Sequence, residues 1–266
     1  MNRSSIYWLA WPALAYLLTL SLVPTLLLLA YAFYERDFYG EVADGFSLVA
    51  WQEAFDPVTL RVFARTLLLS GGVAFADAVI AYPCALTLAR LDVVWRSRLI
   101  LLISFPLVTS LLLRIYGWIN LLPLEFRGTL PAVALVMAVN YLPFMLLPLL
   151  RSVERTDQAL TSAALDLGAT PWQAFWRVTW PLTRPGLAAG TSLVFIPACG
   201  EYLVPHFLGE GKVALVGTMI VQEFMEHRNW PLAAACAAML MLLVLGPLVL
   251  ITLRGSESRE ASWPVQ

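Results

Sequence analysis

The chain is poor in charge, in lysine and in histidine. Only 13% of its 266 residues are charged and 60% are hydrophobic, whereas a soluble domain carries about 25% charged residues. Lys212 is the only lysine. It follows Gly211 and precedes Val213, so the Gly-x-x-x-x-Gly-Lys-Ser/Thr phosphate loop is missing and ATP hydrolysis by that chemistry is excluded. The two histidines, His206 and His227, form no His-Glu-x-x-His, which removes the motif of a zinc protease. Ser192 stands in Gly190-Thr191-Ser192-Leu193-Val194, without the second glycine of a nucleophile elbow, and this argues against an intramembrane serine protease. The three cysteines, Cys84, Cys199 and Cys236, are far apart in apolar runs, with no Cys-x-x-Cys, and read as buried thiols. A net charge of −1 gives no basis for a nucleic-acid partner.

What the chain has instead is long apolar runs, at 8–33, 63–89, 99–122, 130–150, 186–208 and 232–253. Each is near the roughly 20 residues that cross a bilayer as a helix. Helices also satisfy their own backbone polar groups in lipid. The expected fold is an all-α polytopic membrane protein, one domain over 1–266 with six spans, and the bilayer is its first partner. Ala30-Tyr31-Ala32 resembles a signal-peptide cleavage site, but the first run exceeds a signal's apolar region of about 7–15 residues, and only Arg3 precedes it. Orientation follows from arginine. Arg3, Arg90, Arg96, Arg98, Arg151, Arg155, Arg177, Arg184, Arg254 and Arg259 fall on one side; most acids fall on the other. The arginine-rich side is expected to be cytoplasmic, with both termini there and residues 255–266 a short disordered end.

The loop at 151–185 predicts two short helices. Thr156 or Asp157 can cap the first. Leu160, Ala163, Ala164 and Leu167 recur at helical spacing, and Gly168 is placed to end the helix in a left-handed turn. Thr170 caps the second helix, Pro171 suits its first position, and Pro181 is expected to end it. On periodicity alone the pair could equally rest on lipid headgroups.

Ser162-Ala163-Ala164-x-x-x-Gly168 followed by Val178-x-x-Pro181 resembles the coupling motif of bacterial ABC importer permeases of the binding-protein-dependent type. The resemblance continues in Leu113-Arg114-Ile115-Tyr116-Gly117-Trp118, Tyr141-Leu142-Pro143-Phe144-Met145, and residues 194–202 from Val194 to Tyr202. Tyr82-Pro83, Gln222-Glu223-Phe224 and Asn229-Trp230-Pro231 fit as well. Together they are similar to the polyamine (putrescine and spermidine) branch. The family's coupling motif usually opens with glutamate where Ser162 stands, and the segment between the third and fourth spans is short, only 123–129.

The resemblance implies an inner-membrane permease subunit without its own ATPase site or cofactor. ATP and Mg would sit on two partner cytoplasmic ATPase subunits. A second homologous permease and a periplasmic solute-binding protein would complete the importer. Ser162, Ala163, Ala164, Asp166, Gly168, Val178 and Pro181 would form the ATPase-coupling element. The solute would be a small cation of the polyamine kind, with an amino acid derivative such as γ-aminobutyrate as the alternative. An ion-coupled secondary transporter is the rival on composition, and it needs no coupling helix.

Ionisable groups inside spans are costly and commonly face a partner or a water-filled path. Asp77, Arg114 and Glu201 are such groups. Asp77 and Arg114 can pair to fix packing. Glu201 lies among Pro197, Gly200 and Pro205, where a broken helix is expected, and broken helices are where transporters place solute sites. A carboxylate there suits an ammonium, and Tyr116, Trp118, Tyr141 and Tyr202 offer cation–π faces. Asn140 can hydrogen-bond a solute or a neighbouring helix.

Overall fold

The computed structural model describes residues 3–37, 42–156 and 158–260. It divides into two compact units, one of residues 1–63 with 219–266 and one of 64–218.

In the first unit, α1 (Arg3–Tyr31) leads into strands β1 (Tyr34–Arg36) and β2 (Val42–Phe46), which pair antiparallel. The rest of the fold is helical, as expected of an all-α polytopic membrane protein, and this short hairpin is the one sheet among the described residues. Aromatic packing accompanies it: Phe33 stacks on Phe46 at 5.7 Å and leans on Trp51 at 5.6 Å. Trp51 belongs to α2 (Val49–Ala54). Helix α3 (Pro57–Leu88) follows, its N-terminus capped by Asp56, whose carboxylate accepts from Val58 N–H at 2.8 Å.

The second unit holds the rest of α3, then α4 (Val93–Val108), α5 (Leu111–Leu121) and α6 (Leu130–Arg155). The loop helices α7 (Gln158–Asp166) and α8 (Pro171–Ala174) come next. A π-helical turn at Phe175–Thr179 joins α8 to α9 (Trp180–Cys199), and α10 (Leu203–Leu208) closes the set. Helix α11 (Val216–Met225) continues into the first unit, where α12 (Trp230–Glu260) packs on α1 and α2.

Among the described residues, three helices are long and apolar enough to cross a membrane: Pro57–Leu88, Leu130–Arg155 and Trp230–Pro247. The run at 99–122, expected as one span, is instead α4 and α5, bent by 96°. Pro106 withholds one helical N–H, and Thr109 Oγ1 donates to the Pro106 carbonyl at 3.2 Å near the helix end. Counted as one broken span, this pair makes a fourth. The first run lies in α1 (Arg3–Tyr31), whose segment Ala15–Tyr31 is apolar helix. The run at 186–208 is likewise broken: α9 stops at Cys199 with Gly200 as C-cap, and α10 starts afresh at Leu203.

Three loop and tail expectations change as well. Thr156 caps the end of α6, its N–H bonding to Val153 O, and so does not start α7; Asp157 lies outside the described residues. Pro181 does not end the second loop helix. Trp180 N–H reaches back five residues to Phe175 O, and the widened turn passes the Pro181 ring into α9. Helix α12 extends past Gly255 to Glu260, while 261–266 lie outside the described residues.

The second unit's core is the α6–α9 contact. Val133, Val136, Met137, Leu146 and Leu149 of α6 are buried with Val194 and Ala198 of α9. Gly186 and Gly190 bring the two backbones together. A Cβ on Gly186 would fall 2.2 Å from Ser152 Cβ, and one on Gly190 would fall 2.9 Å from Met145 O. Without a hydrophobic force between helices in lipid, close van der Waals approach of this kind holds them, and Gly-x-x-x-Gly supplies it.

Candidate functional site

The first cluster is the α7–α8 element. Gly168 has φ +87. Its N–H bonds to Leu165 O at 2.9 Å, and Ala169 N–H bonds to Ala164 O at 3.0 Å. These two bonds make a Schellman turn, which satisfies the last carbonyls of α7 and needs the left-handed residue that glycine provides. Thr170 then starts α8 with a capping box: Gln173 N–H donates to Thr170 Oγ1 at 3.3 Å and Thr170 N–H to Gln173 Oε1 at 3.0 Å. Ser162, Ala163, Ala164 and Asp166 therefore share one short helix, ended by Gly168. Val178 lies in the π turn and Pro181 in α9, on one continuous rod with α8.

This element presents apolar side chains outward. Leu167 is 89% exposed and Trp172 69%, with Leu160, Leu165 and Trp176 also exposed. Behind them Trp172, Phe175, Trp176 and Trp180 pack ring on ring at 5.2–6.5 Å. Tyr82 of α3 touches Phe175 edge-on at 5.5 Å and Trp180 at 5.6 Å. Its hydroxyl hydrogen-bonds to Thr183 at 2.5 Å. The loop is thus tied to the ends of α3 and α9.

The second cluster is the set of polar groups at the α5, α6 and α9–α10 junction. Glu201 is 9% exposed. One carboxylate oxygen accepts from Leu203 N–H at 3.0 Å and Val204 N–H at 3.3 Å, capping α10. The other accepts from Tyr141 Oη at 2.5 Å. Gly217 keeps this break tight: a Cβ there would lie 2.5 Å from Glu201 O. Arg114 Nη1 donates to Asn140 Oδ1 at 2.9 Å. The structure therefore brings Arg114 to Asn140 and Tyr141 to Glu201, with Asn140 and Tyr141 adjacent on α6.

Asp77 stands apart. It is fully buried, and neither of its carboxylate oxygens has a hydrogen-bond partner among the described residues. Arg114 makes no ion pair there, so the Asp77–Arg114 pairing considered from sequence is not formed. Arg114 Nε and Asn140 Nδ2 are also buried without a partner. Tyr116 reaches Phe207 at 5.8 Å, Phe207 reaches His206 at 4.9 Å, and His206 reaches Tyr202 at 4.9 Å. Tyr116 and Tyr202 thus belong to one aromatic row, while half-buried Trp118 packs on the core.

Sequence reasoning passed over Gly186 and Gly190, although Gly-x-x-x-Gly within an apolar segment is a readable signal. It also passed over the Tyr82–Thr183 bond and the Phe207–His206 bridge. Those depend on which helices meet, and no local pattern encodes that.

Comparison with known proteins matches this arrangement. The spermidine/putrescine transport system permease protein PotB of Haemophilus influenzae is 35% identical over 248 residues, covering 86% of this chain and 87% of the relative. PotB of Escherichia coli K12 is 33% identical, covering 88% and 92%. Among solved structures, a bacterial ABC transporter involved in import of the acidic polysaccharide alginate matches with TM-score 0.64 at 16% identity, over 97% of this chain and 98% of that one. The same kind of transporter, in complex with an alginate pentasaccharide-bound periplasmic protein, matches with TM-score 0.59. At that identity the structures speak for the fold alone. The family of binding-protein-dependent transport system inner membrane components matches at residues 78–255, through both clusters, and the chain belongs to it, as a multi-pass permease subunit of an ABC importer.

Proposed function

We propose that this chain carries a polyamine-like cation across the inner membrane, driven by ATP hydrolysed on separate subunits that dock on α7 and α8. The observation that carries the coupling assignment is the α7–α8 element itself. A short polar-side loop with exposed Leu160, Leu165, Leu167, Trp172 and Trp176 presents a surface that a partner must cover. Being continuous with α9 through the π turn, α8 passes a displacement of its docked partner straight to the helix that ends beside Glu201. Two ATPase subunits, a second permease and a periplasmic solute-binding protein complete the machine. Six spans with both termini in the cytoplasm put the arginine-rich side and α7–α8 together on the ATPase side.

The cationic solute is supported by the PotB relatives and by the acceptor-bearing break. Glu201 and Tyr141 place a carboxylate where α9 and α10 separate, and Tyr116 and Tyr202 line an aromatic row at hand for an ammonium. One observation favours the second reading, an amino acid derivative such as γ-aminobutyrate. The Arg114 Nε and Asn140 Nδ2 N–H groups, without partners among the described residues, would donate to a solute carboxylate.

Gly168 provides the test. A Cβ there meets nothing within 4 Å, so a substitution acts only through the positive φ. Gly168→Val is expected to cut ATP-driven uptake of labelled putrescine at least tenfold, because a β-branched residue strains the turn and misplaces α7. Gly168→Asn, which tolerates the left-handed region, is expected to retain most uptake. Equal loss in both, or none in either, would count against α7–α8 as the coupling element. Competition of the same uptake by excess γ-aminobutyrate, with none by spermidine, would favour the second solute reading.

A further inference from the structure

A cavity of about 280 Å³ lies behind α7, between it and the adjacent ends of α3, α6 and the π turn. Arg90, Thr161, Ser162 and Thr179 line it, with Leu86 and Val153 on its apolar wall. The arginines around it differ in their surroundings. Arg96 is paired with Glu154 at 3.0 Å. Arg98 lies over Trp95 and Arg184 over Trp180. Arg90 has no acid, ring or hydrogen-bond acceptor among the described residues, and the hydroxyls of Thr161, Ser162 and Thr179 have no hydrogen-bond partner there either. Among the described residues the cavity offers one cation and three free hydroxyl groups, a fourth hydroxyl, that of Thr156, being donated to Ser152 O at 3.1 Å, and no carboxylate lines it.

We propose that this cavity is a phosphate-group site. A guanidinium with several hydroxyl donors matches an oxyanion that can accept from all of them at once. A phosphate with carbon attached suits the cavity better than a bare ion, because Leu86 and Val153 would otherwise face an empty half. The site lies at the arginine-rich ends of membrane helices, where headgroups of anionic lipids concentrate near basic pockets between helices. A headgroup phosphodiester and a free phosphate compound share this chemistry. Since Thr161 and Ser162 sit on α7 while Arg90 follows α3, the bound phosphate would pin α7 to the membrane helices. The site does not depend on the identity of the transported solute.

Ser162→Glu provides a direct probe, because it places a tethered carboxylate in the cavity on an exposed helix position. The full chain, purified with the proteins that accompany it and stripped of lipid, is titrated with short-chain phosphatidylglycerol and, separately, with inorganic phosphate. Binding is read by native mass spectrometry and by hydrogen exchange of the α7 amides. Phosphatidylglycerol is expected to bind and to slow exchange in α7, and Arg90→Gln and Ser162→Glu are each expected to weaken this about tenfold, as loss of one charge-assisted contact would. Arg90→Lys should recover part of the binding. Phosphate binding with the same dependence on Arg90, in place of lipid binding, would also support the site and would name a free phosphate compound as its ligand. Binding unaltered by both substitutions, or no protection of α7 by either probe in the folded chain, would overturn it.

Discussion

Gly186→Leu is expected to abolish transport and to leave little folded chain in the membrane. Gly186 and Gly190 set the spacing of α6 and α9, whose contact forms the core of the second unit. Even a methyl group at 186 would sit 2.2 Å from Ser152 Cβ and 2.9 Å from the Pro148 carbonyl. Neither is the free end of a flexible side chain, so the helices must separate. Overpacking of this kind costs about 1–3 kcal/mol for small additions, and leucine adds far more volume than one methyl. Gly186→Ala should therefore lower the melting midpoint in detergent clearly, and Ser152→Gly should restore part of it by removing the nearest atoms. Gly117→Ala is the control, because a Cβ there meets nothing within 4 Å; its midpoint should not fall. Equal melting of Gly186→Ala and Gly117→Ala would show that the α6–α9 approach does not hold the unit together.

The second large effect is expected at Glu201, where alanine and glutamine should part company. Alanine leaves the N–H groups of Leu203 and Val204 and the Tyr141 hydroxyl without their acceptor. Each buried donor orphaned in this way costs roughly 1–3 kcal/mol, so Glu201→Ala should destabilise the chain severely. Glutamine keeps an oxygen for the α10 cap, and its amide can donate to Tyr141, so Glu201→Gln should fold. What it loses is the negative charge. Uptake of putrescine by Glu201→Gln is then expected to fall at least tenfold while the melting midpoint stays near that of the unaltered chain. A folded Glu201→Gln chain with full putrescine uptake would confine Glu201 to its capping role.

The sequence was most informative where chemistry is local. Gly168, Thr170 and Pro171 announced the turn and cap of the loop helices, because a positive φ, an N-terminal acceptor and a missing N–H leave few choices of residue. Pro197, Gly200 and Pro205 around Glu201 announced the broken helix for the same reason. The apolar runs marked the apolar helices but gave no sign of the α4–α5 break or of the continuation of α12 to Glu260. The 96° bend between α4 and α5 lies in an unbroken apolar run, since Thr109 and Ser110 are mild residues that lipid-scale patterning does not register. The π turn was hidden because Pro181 normally reads as a stop, and only a widened ladder upstream accommodates it. The partners of Arg114, Glu201 and Tyr82 were beyond reach. They are set by which helices meet across 26 to 101 residues of chain, and no local spacing encodes that.

On the proposed function, this chain works only inside an ATP-driven assembly that grips α7 and α8. The most direct measurement is to purify the tagged chain from its native membrane in mild detergent, identify what accompanies it, and measure ATP hydrolysis with and without a solute-loaded binding protein. A Walker-type ATPase and a second permease are expected to come with it, with hydrolysis stimulated by the binding protein loaded with a polyamine and the ATPase lost from Gly168→Val. Recovery of the folded chain alone, even after gentle cross-linking, would contradict the grip of an ATPase on α7 and α8.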